Sequence, residues 1–479
     1  MARIGLLSIS DGRPYVHHDT TAFVRDAEDR LAAALAAAGH TVIRAAEPVT
    51  SNVLATRLAR EIAAAGVDLT IFHYAVWAFP QFTMLAADAT QSPLLLVSNI
   101  DPVQPGMVGM LAAGGALDQI ARPHDRLWGE PDAGLTGHVT VLADAARVVG
   151  ALRGSTFGRI GGRPMGMNTA VAATETWIRE FGIDVEEIDQ WELVVRADKV
   201  PASRAAAARG WLEKHTAGVH YDADRLTPEL LDRQIRSYYA MRELIEERAL
   251  DFTGIKGQPE LTEHFATMDI TEAFLNDPYD WDGPKQPHVC ATESDMDGAL
   301  TMQILKLLTG TPVLFADVRH YHADRDVWDL CNSGQHATWF AARSADPAEN
   351  LARVNLYPEV FFFPAGGASV HHLAAPGQMT LSRLSRLDGR YRLQLMLGDL
   401  ETYDDETNER MMRASTYQWP HAFARLDAEA GDFLRRFGAN HIHAVPGDVR
   451  DQLRAVCQLT GIEIDEFTRG SASGHLQPG

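Results

Sequence analysis

Apolar and polar residues along the first 150 positions fall into blocks whose lengths and periods mark strands and helices in turn. A short apolar run predicts a buried strand at 4–8, and an alanine-rich stretch at helical spacing predicts a helix over about 20–38, closed by Gly39. A strand at 41–43 follows, then a helix capped by Ser51 and ended by Gly66. The runs at 69–72 and 93–97 are continuously apolar, as strands buried on both faces of a parallel sheet are. This alternation reads as a doubly wound sheet. A long helix over about 135–152 then leads into Gly154-Ser155-Thr156, a domain boundary, so the first α/β domain is expected to span 1–154.

The second segment opens on a strand-like stretch at 156–160 and a glycine-rich turn at 161–167, and alternates helix and strand through Asp317. Apolar residues at helical spacing over 230–248 form a core face. A second α/β domain is expected at 155–352. From about Arg353 the texture turns to strands, at 360–363, 379–387 and 391–397, with Asp388-Gly389 between the last two as a hairpin signal. A helix and strand return between Asp448 and Phe467, and the polar tail 471–479 reads as disordered. The segment 353–479 is thus expected to be a β-rich, barrel-like or sandwich domain.

Composition narrows the class. The 479 residues are 46% hydrophobic and 22% charged, enough for several cores. A formal net charge of −21 argues against nucleic acid or an anionic membrane as the main partner. Three cysteines, Cys290, Cys331 and Cys457, without a CxxC pair, suggest a reducing compartment. The N-terminal run reads as a buried strand and not as a signal peptide, and no stretch is expected to reach the length of a membrane span. A cytoplasmic protein is expected.

The chemistry concentrates at strand ends. Glu293 and Asp317 each follow a predicted strand, at 288–292 and 312–316, with a helix at about 295–308 between them. A right-handed crossover would make these strands parallel and place both carboxylates at the carboxyl edge of one sheet. Neighbouring acids repel unless they share a proton or a cation, and a metal ion is the obvious cation. The plainer alternative is that Ser294 or Asp295 caps the helix while Glu293 faces water. His441 and His443, two apart in a predicted strand, share a face, and imidazole with carboxylates suits manganese. Either histidine could equally be a satisfied core residue. The turn 161–167 could cradle a hydroxyl or anion through backbone N–H groups with Arg163 adding charge, or be a tight turn and nothing more. Arg13 and Trp77 lie just beyond the first and third strands, at the ligand edge of the first sheet or as ordinary surface residues.

Asp11-Gly12-Arg13, the stretch Gly161-Gly162-Arg163-Pro164-Met165-Gly166, the stretch Gly254-Ile255-Lys256-Gly257-Gln258-Pro259-Glu260, the Glu293/Asp317 unit and Asn440-His441 occur in an order that resembles the L-fucose/L-arabinose isomerase superfamily, closest to its L-fucose isomerase branch. The resemblance implies two Rossmann-like α/β domains followed by a β-rich one, and aldose–ketose isomerisation with a divalent metal, usually Mn2+ (Mg2+ or Co2+ as alternatives). It implies Glu293 and Asp317 as both metal ligands and acid/base pair, His441 as the histidine ligand with His443 in reserve, and Gln258 near the sugar. Arg13 and Trp77 would be lent by a neighbouring subunit of a homotrimer or homohexamer. The chain is shorter than the L-fucose enzymes, mostly in its C-terminal half. Arg163, Arg319 and His320 would also suit an aldose with a negative group at C6, such as sulfoquinovose. Other classes fit less well: an oxidoreductase lacks its glycine fingerprint after the first strand, a non-catalytic sugar-binding protein has little use for paired strand-end acids, and a scaffold would scatter its polar motifs.

Overall fold

The computed structural model describes residues 1–333 and 336–470; the tail at 471–479 lies outside the described residues. The chain forms two compact units, one of residues 1–151 with 451–461, the other of 152–450 with the segment from 462 onward.

In the first unit five parallel strands lie in the order Thr41–Arg44, Arg3–Ser8, Leu69–Tyr74, Leu94–Ser98, Asp125–Trp128. Chain order reverses between Arg3–Ser8 and Leu69–Tyr74, which opens a crevice beyond their carboxyl ends. Arg13 and Trp77 follow these two strands. The first helix, Pro14–Ala37, begins earlier than predicted, because Pro14 occupies its first turn, where a missing N–H costs nothing. Ser51 caps Asn52–Ala64 as expected, accepting from the Leu54 N–H at 3.3 Å.

One expectation fails here. The helix Ala133–Leu152 is long and apolar enough, by length and composition, to cross a membrane. Its apolar side is committed to the sheet: Leu135, Val139, Leu142 and Ala146 share a core with Ile4, Leu6, Ile71 and Leu95.

The second unit holds a parallel sheet in the order Cys290–Thr292, Phe252–Ile255, Thr156–Ile160, Asp184–Ile188. Beside it is a closed antiparallel barrel of Gly377–Leu387, His441–Pro446, Leu314–His322, Val327–Cys331, His421–Leu426 and Arg390–Glu401. Pairing of the first of these strands with the last completes the ring. Closure satisfies backbone groups that an open edge would leave exposed. Glu463–Glu466 adds in parallel to part of Arg390–Glu401. Asp388 (φ 53°) and Gly389 (φ 74°) form the predicted two-residue hairpin turn.

Three readings are corrected. The strands that carry these acids are not parallel partners: Glu293 follows Cys290–Thr292 of the parallel sheet, whereas Asp317 lies within Leu314–His322 of the barrel, not past its end. The intervening helix, Met296–Thr309, packs on barrel strands Gly377–Leu387 and His441–Pro446 as well as on the parallel sheet, so it joins two layers instead of crossing over within one. The barrel also takes two strands from 314–331, ahead of the expected start at 353, because ring closure is set by spatial complementarity and not by chain order. Residues 360–363 form a turn closed by the Phe363 N–H on the Val360 carbonyl at 3.0 Å. Val360 and Phe363 bury beside Trp419 while Phe361 points to solvent, so the apolar run lacks a strand's alternation.

Candidate active site

One residue of each pair along the barrel strands, among them Ala316, Leu330, Ala422 and Ile442, fills the barrel interior. Their neighbours face outward. Directly opposed residues of an antiparallel pair project to the same side. His441 opposes Asp317, Asp317 opposes Cys331, and Cys331 opposes His421. Four ionisable side chains therefore form one row across four strands.

Glu293 reaches this row from the other sheet. It and Ser294 have φ of 55° and 50°, a conformation rarely adopted without glycine, and such backbone persists only when its surroundings fix it. The Ser294 N–H donates to the Ile255 carbonyl at 2.9 Å and its Oγ to the Gly254 carbonyl at 3.3 Å. Gly254 permits this approach, since a Cβ there would lie 3.0 Å from Ser294 Cα.

His441 Nε2 lies 3.0 Å from Glu293 Oε2 and 3.5 Å from Asp317 Oδ1. Gln258 Nε2 donates to Glu293 Oε1 at 3.3 Å, and Asn440 Nδ2 to Asp317 Oδ1 at 3.1 Å. Glu293 Oε2 and His441 Nε2 are buried, and beyond their mutual 3.0 Å approach neither has a hydrogen-bond partner. An unsatisfied buried polar atom costs about 1–3 kcal/mol. A cation between these atoms would take up both lone pairs and offset the adjacent carboxylates, and two carboxylates with one imidazole are a donor set that manganese accepts. The residues present fit a divalent ion.

Burial lifts the Asp317 carboxyl above its ordinary pKa; the His441 charge opposes this and the Glu293 charge adds to it. Burial alone would lower His441, but hydrogen bonds to Asp295 and Glu293, with the charges of Asp295 and Asp317, push it up to about 10. Proton and cation thus compete for the same ring nitrogen.

A cleft of about 390 Å3 opens over Glu293 and Asp317, with Gln258, Arg319, Trp419 and Asn440 also on its walls. The other expected site residues are placed as follows. Arg319 lies 5.1 Å over the Trp419 ring and donates to Thr416 Oγ1 at 3.0 Å. Arg163 is exposed and bound to Asn168 Oδ1 at 2.8 Å, and it is the turn's Met165 and Met167 that line the cleft. His320 is exposed, its ring against His322, and does not line the cleft. His443 shares a face with His441 as expected and is fully buried there, its Nε2 accepting from Arg383 Nη1 at 3.1 Å. Nε2 is therefore engaged by a guanidinium, whereas Nδ1 is buried without a hydrogen-bond partner. Arg13 and Trp77 belong to the first unit, and Arg13 pairs with Asp11 (Nη2–Oδ2 2.6 Å), holding that carboxyl below its usual range.

Sequence reasoning missed Asp295 as more than a cap, and missed Arg383 and the orienting role of Asn440. It also missed Asp329, Cys331 and His421, which lie close enough to share an ion. Here, however, both His421 nitrogens already face acceptors: Nδ1 the Asp329 carboxylate at 3.0 Å, Nε2 the Thr416 carbonyl at 3.2 Å. Burial also pushes the Cys331 thiol well up, away from the thiolate a metal prefers. This trio reads as a satisfied structural network.

Residues 1–144 match the first N-terminal domain of L-fucose isomerase, residues 240–310 its second N-terminal domain, and residues 330–468 its C-terminal domain. An L-fucose isomerase of Vibrio vulnificus is 25% identical over 75% of this chain and 74% of its own length. An L-fucose isomerase of Streptococcus pneumoniae is 30% identical over 67% of this chain, and the match spans 66% of that relative's length. Among solved structures, a solute-binding protein of Agrobacterium vitis bound with α-D-tagatopyranose is 13% identical over 65% of this chain and 90% of its own, at a TM-score of 0.17, too low to bear on the fold. On the three domain matches and these relatives, the chain belongs to the L-fucose isomerase family.

Proposed function

We propose that the protein is a metal-dependent aldose–ketose isomerase that acts on an open-chain sugar through a cis-enediolate, with an L-fucose- or D-arabinose-like sugar as substrate. Family membership supports the reaction class. The observation that carries the site is the buried, unpartnered pair Glu293 Oε2 and His441 Nε2, with Asp317 beside them. Glu293, Asp317 and His441 would hold the ion, Mn2+ by preference and Mg2+ or Co2+ as alternatives.

A bound divalent ion would supply a Lewis acid for two adjacent sugar oxygens as negative charge develops on them. The chain's own residues do the rest. One of Glu293 and Asp317 takes the proton from C2, and the other manages the proton on the oxygens or at C1. Gln258 and Asn440 each donate to one carboxylate oxygen and so fix its direction. Trp419 and Met167 supply apolar wall beside the reacting carbons.

Two further elements belong to the proposal: a cytoplasmic location, consistent with three buried free cysteines, and a homotrimer or homohexamer in which Arg13 and Trp77 serve a neighbouring subunit. A second reading, the same chemistry on an aldose with an anionic C6, draws on Arg319, the one cationic side chain lining the cleft among the described residues.

The test is conversion of L-fucose, D-arabinose, L-arabinose and sulfoquinovose in D2O, with Mn2+ and then with EDTA. Expected is EDTA-sensitive conversion of a neutral sugar with deuterium in the product. Conversion without deuterium would move the mechanism to a hydride shift or a shielded proton. Tight sugar binding without turnover of any of the four would replace the isomerase reading by that of a binding protein.

A further inference from the structure

We infer that Asp295, held by Arg383, is the positioning residue that aims His441 at the ion; the inference rests on the proposed metal site. Asp295 is fully buried at the start of Met296–Thr309, and its Oδ2 lies 2.7 Å from His441 Nδ1. Three other contacts leave this carboxylate no freedom: Arg383 Nη1 to Oδ2 at 2.5 Å, Arg383 Nη2 to Oδ1 at 3.0 Å, and the Gly298 N–H to Oδ1 at 3.0 Å.

A carboxylate only accepts, so Nδ1 carries a ring proton, and with an ion in place of the second proton Nε2 would present its lone pair to it. That lone pair points at Glu293 Oε2 and Asp317 Oδ1. A carboxylate behind a ligating histidine fixes its tautomer and ring direction and raises its basicity.

Arg383 is placed for this task and little else. It is 1% exposed, its Nη2 also donates to the Thr169 carbonyl at 3.0 Å, and its Nη1 reaches His443 Nε2. Residue 298 must lack a Cβ, which would fall 2.6 Å from Asp295 Oδ2 and 2.8 Å from Arg383 Nη1. The glycine and the buried ion pair are one device, and His443 is its far end.

The experiment compares Mn2+ affinity, by EPR of the free ion, in the full-length wild type and in Asp295→Asn, Arg383→Met and the double variant, each checked for folding by circular dichroism. Asp295→Asn is expected to weaken Mn2+ about 10- to 100-fold, the usual effect of losing such a partner. Arg383→Met should weaken it less. The double variant decides between aiming and mere stability. If Asp295→Asn acted only by stranding a buried guanidinium, removing Arg383 as well would restore Mn2+ binding. If Asp295 aims His441, the double variant stays as weak as Asp295→Asn. Affinity within twofold of wild type in Asp295→Asn, or recovery in the double variant, overturns the inference. Glu293→Gln and His441→Ala separate it from the reading beneath: if these bind Mn2+ like the wild type the site itself is wrong, whereas if they fail and Asp295→Asn does not, only the positioning role falls.

Discussion

His421 and His441 stand at the two ends of one row across the barrel, and both are buried with an aspartate on Nδ1. What their Nε2 atoms meet separates them. For His421 it is the Thr416 carbonyl, and the ring is finished. For His441 it is two carboxylates and no donor. A buried Asp–His pair is therefore not by itself a sign of function; two further carboxylates gathered on its other nitrogen are the distinguishing feature. The origins of the aspartates differ too. Asp329 sits on a barrel strand that pairs with His421's own, whereas Asp295 arrives on a helix that joins two layers. The Asp329–His421 pair is local to one sheet, and the Asp295–His441 pair exists only because two sheets meet.

The sharpest way to break this comparison is to neutralise the acids at one end of the row. Glu293→Gln or Asp317→Asn should lower turnover by at least about 10^3-fold, within the range for losing a general acid or base together with an ion ligand. Steady-state rates at saturating Mn2+ check it. Turnover within tenfold of wild type in either would remove that residue from the acid/base pair.

Replacing the histidines in turn is expected to give opposite losses. His441→Ala should lose bound Mn2+, measured by metal analysis after gel filtration, with a modest change in melting. His421→Ala should keep its Mn2+ but lose about 3–5 kcal/mol of stability, because Asp329 would be left buried and uncompensated. The reverse pattern would move the ion to Asp329, Cys331 and His421.

Gly254 tests how the reactive end is assembled. An alanine there would place its Cβ 3.0 Å from Ser294 Cα, 3.2 Å from Phe157 Cζ and 3.3 Å from the Ala291 carbonyl oxygen. Two of these are backbone atoms, so the Glu293 turn must shift. Gly254→Ala should cost about 1–3 kcal/mol of stability, as overpacking does. It should also lower kcat about tenfold with Mn2+ bound; unchanged kcat would mean that the turn tolerates displacement.

The legibility of this molecule follows the range of its interactions. The first sheet was readable because its strands are continuous apolar runs and its caps are local, as at Ser51. Glu293, Asp317 and His441 were identifiable through motif order, and Gln258 with them. Their meeting was reached through a wrong topology, a parallel crossover in one sheet, since strand pairing partners are not encoded in a strand's own pattern. Arg383 gave no signal at all. It is one of two arginines in a Leu-Ser-Arg repeat, and its partner Asp295 is 88 positions away. For His443 the i and i+2 spacing gives the shared face with His441, but the contact of its Nε2 with Arg383 is long-range and leaves no mark in the local pattern.

The smallest effect expected concerns the rim of the reactive end and separates the two substrate readings. Arg319 is largely exposed and lies over Trp419, so Arg319→Met keeps apolar contact with the ring and should change stability by no more than about 0.5 kcal/mol. For a neutral aldose the lost charge meets nothing on the sugar, and KM should stay within about threefold while kcat is unchanged. An aldose with an anionic C6 would lose a charge-assisted hydrogen bond, worth about 1.5–3 kcal/mol, and KM would rise at least tenfold. Because Arg319 touches neither Glu293 nor His441 in the hydrogen-bond network, a fall in kcat instead of a rise in KM would show that the rim and the row are coupled. The contrast between a self-contained His421 and an open His441 would then extend beyond the row to the cleft wall.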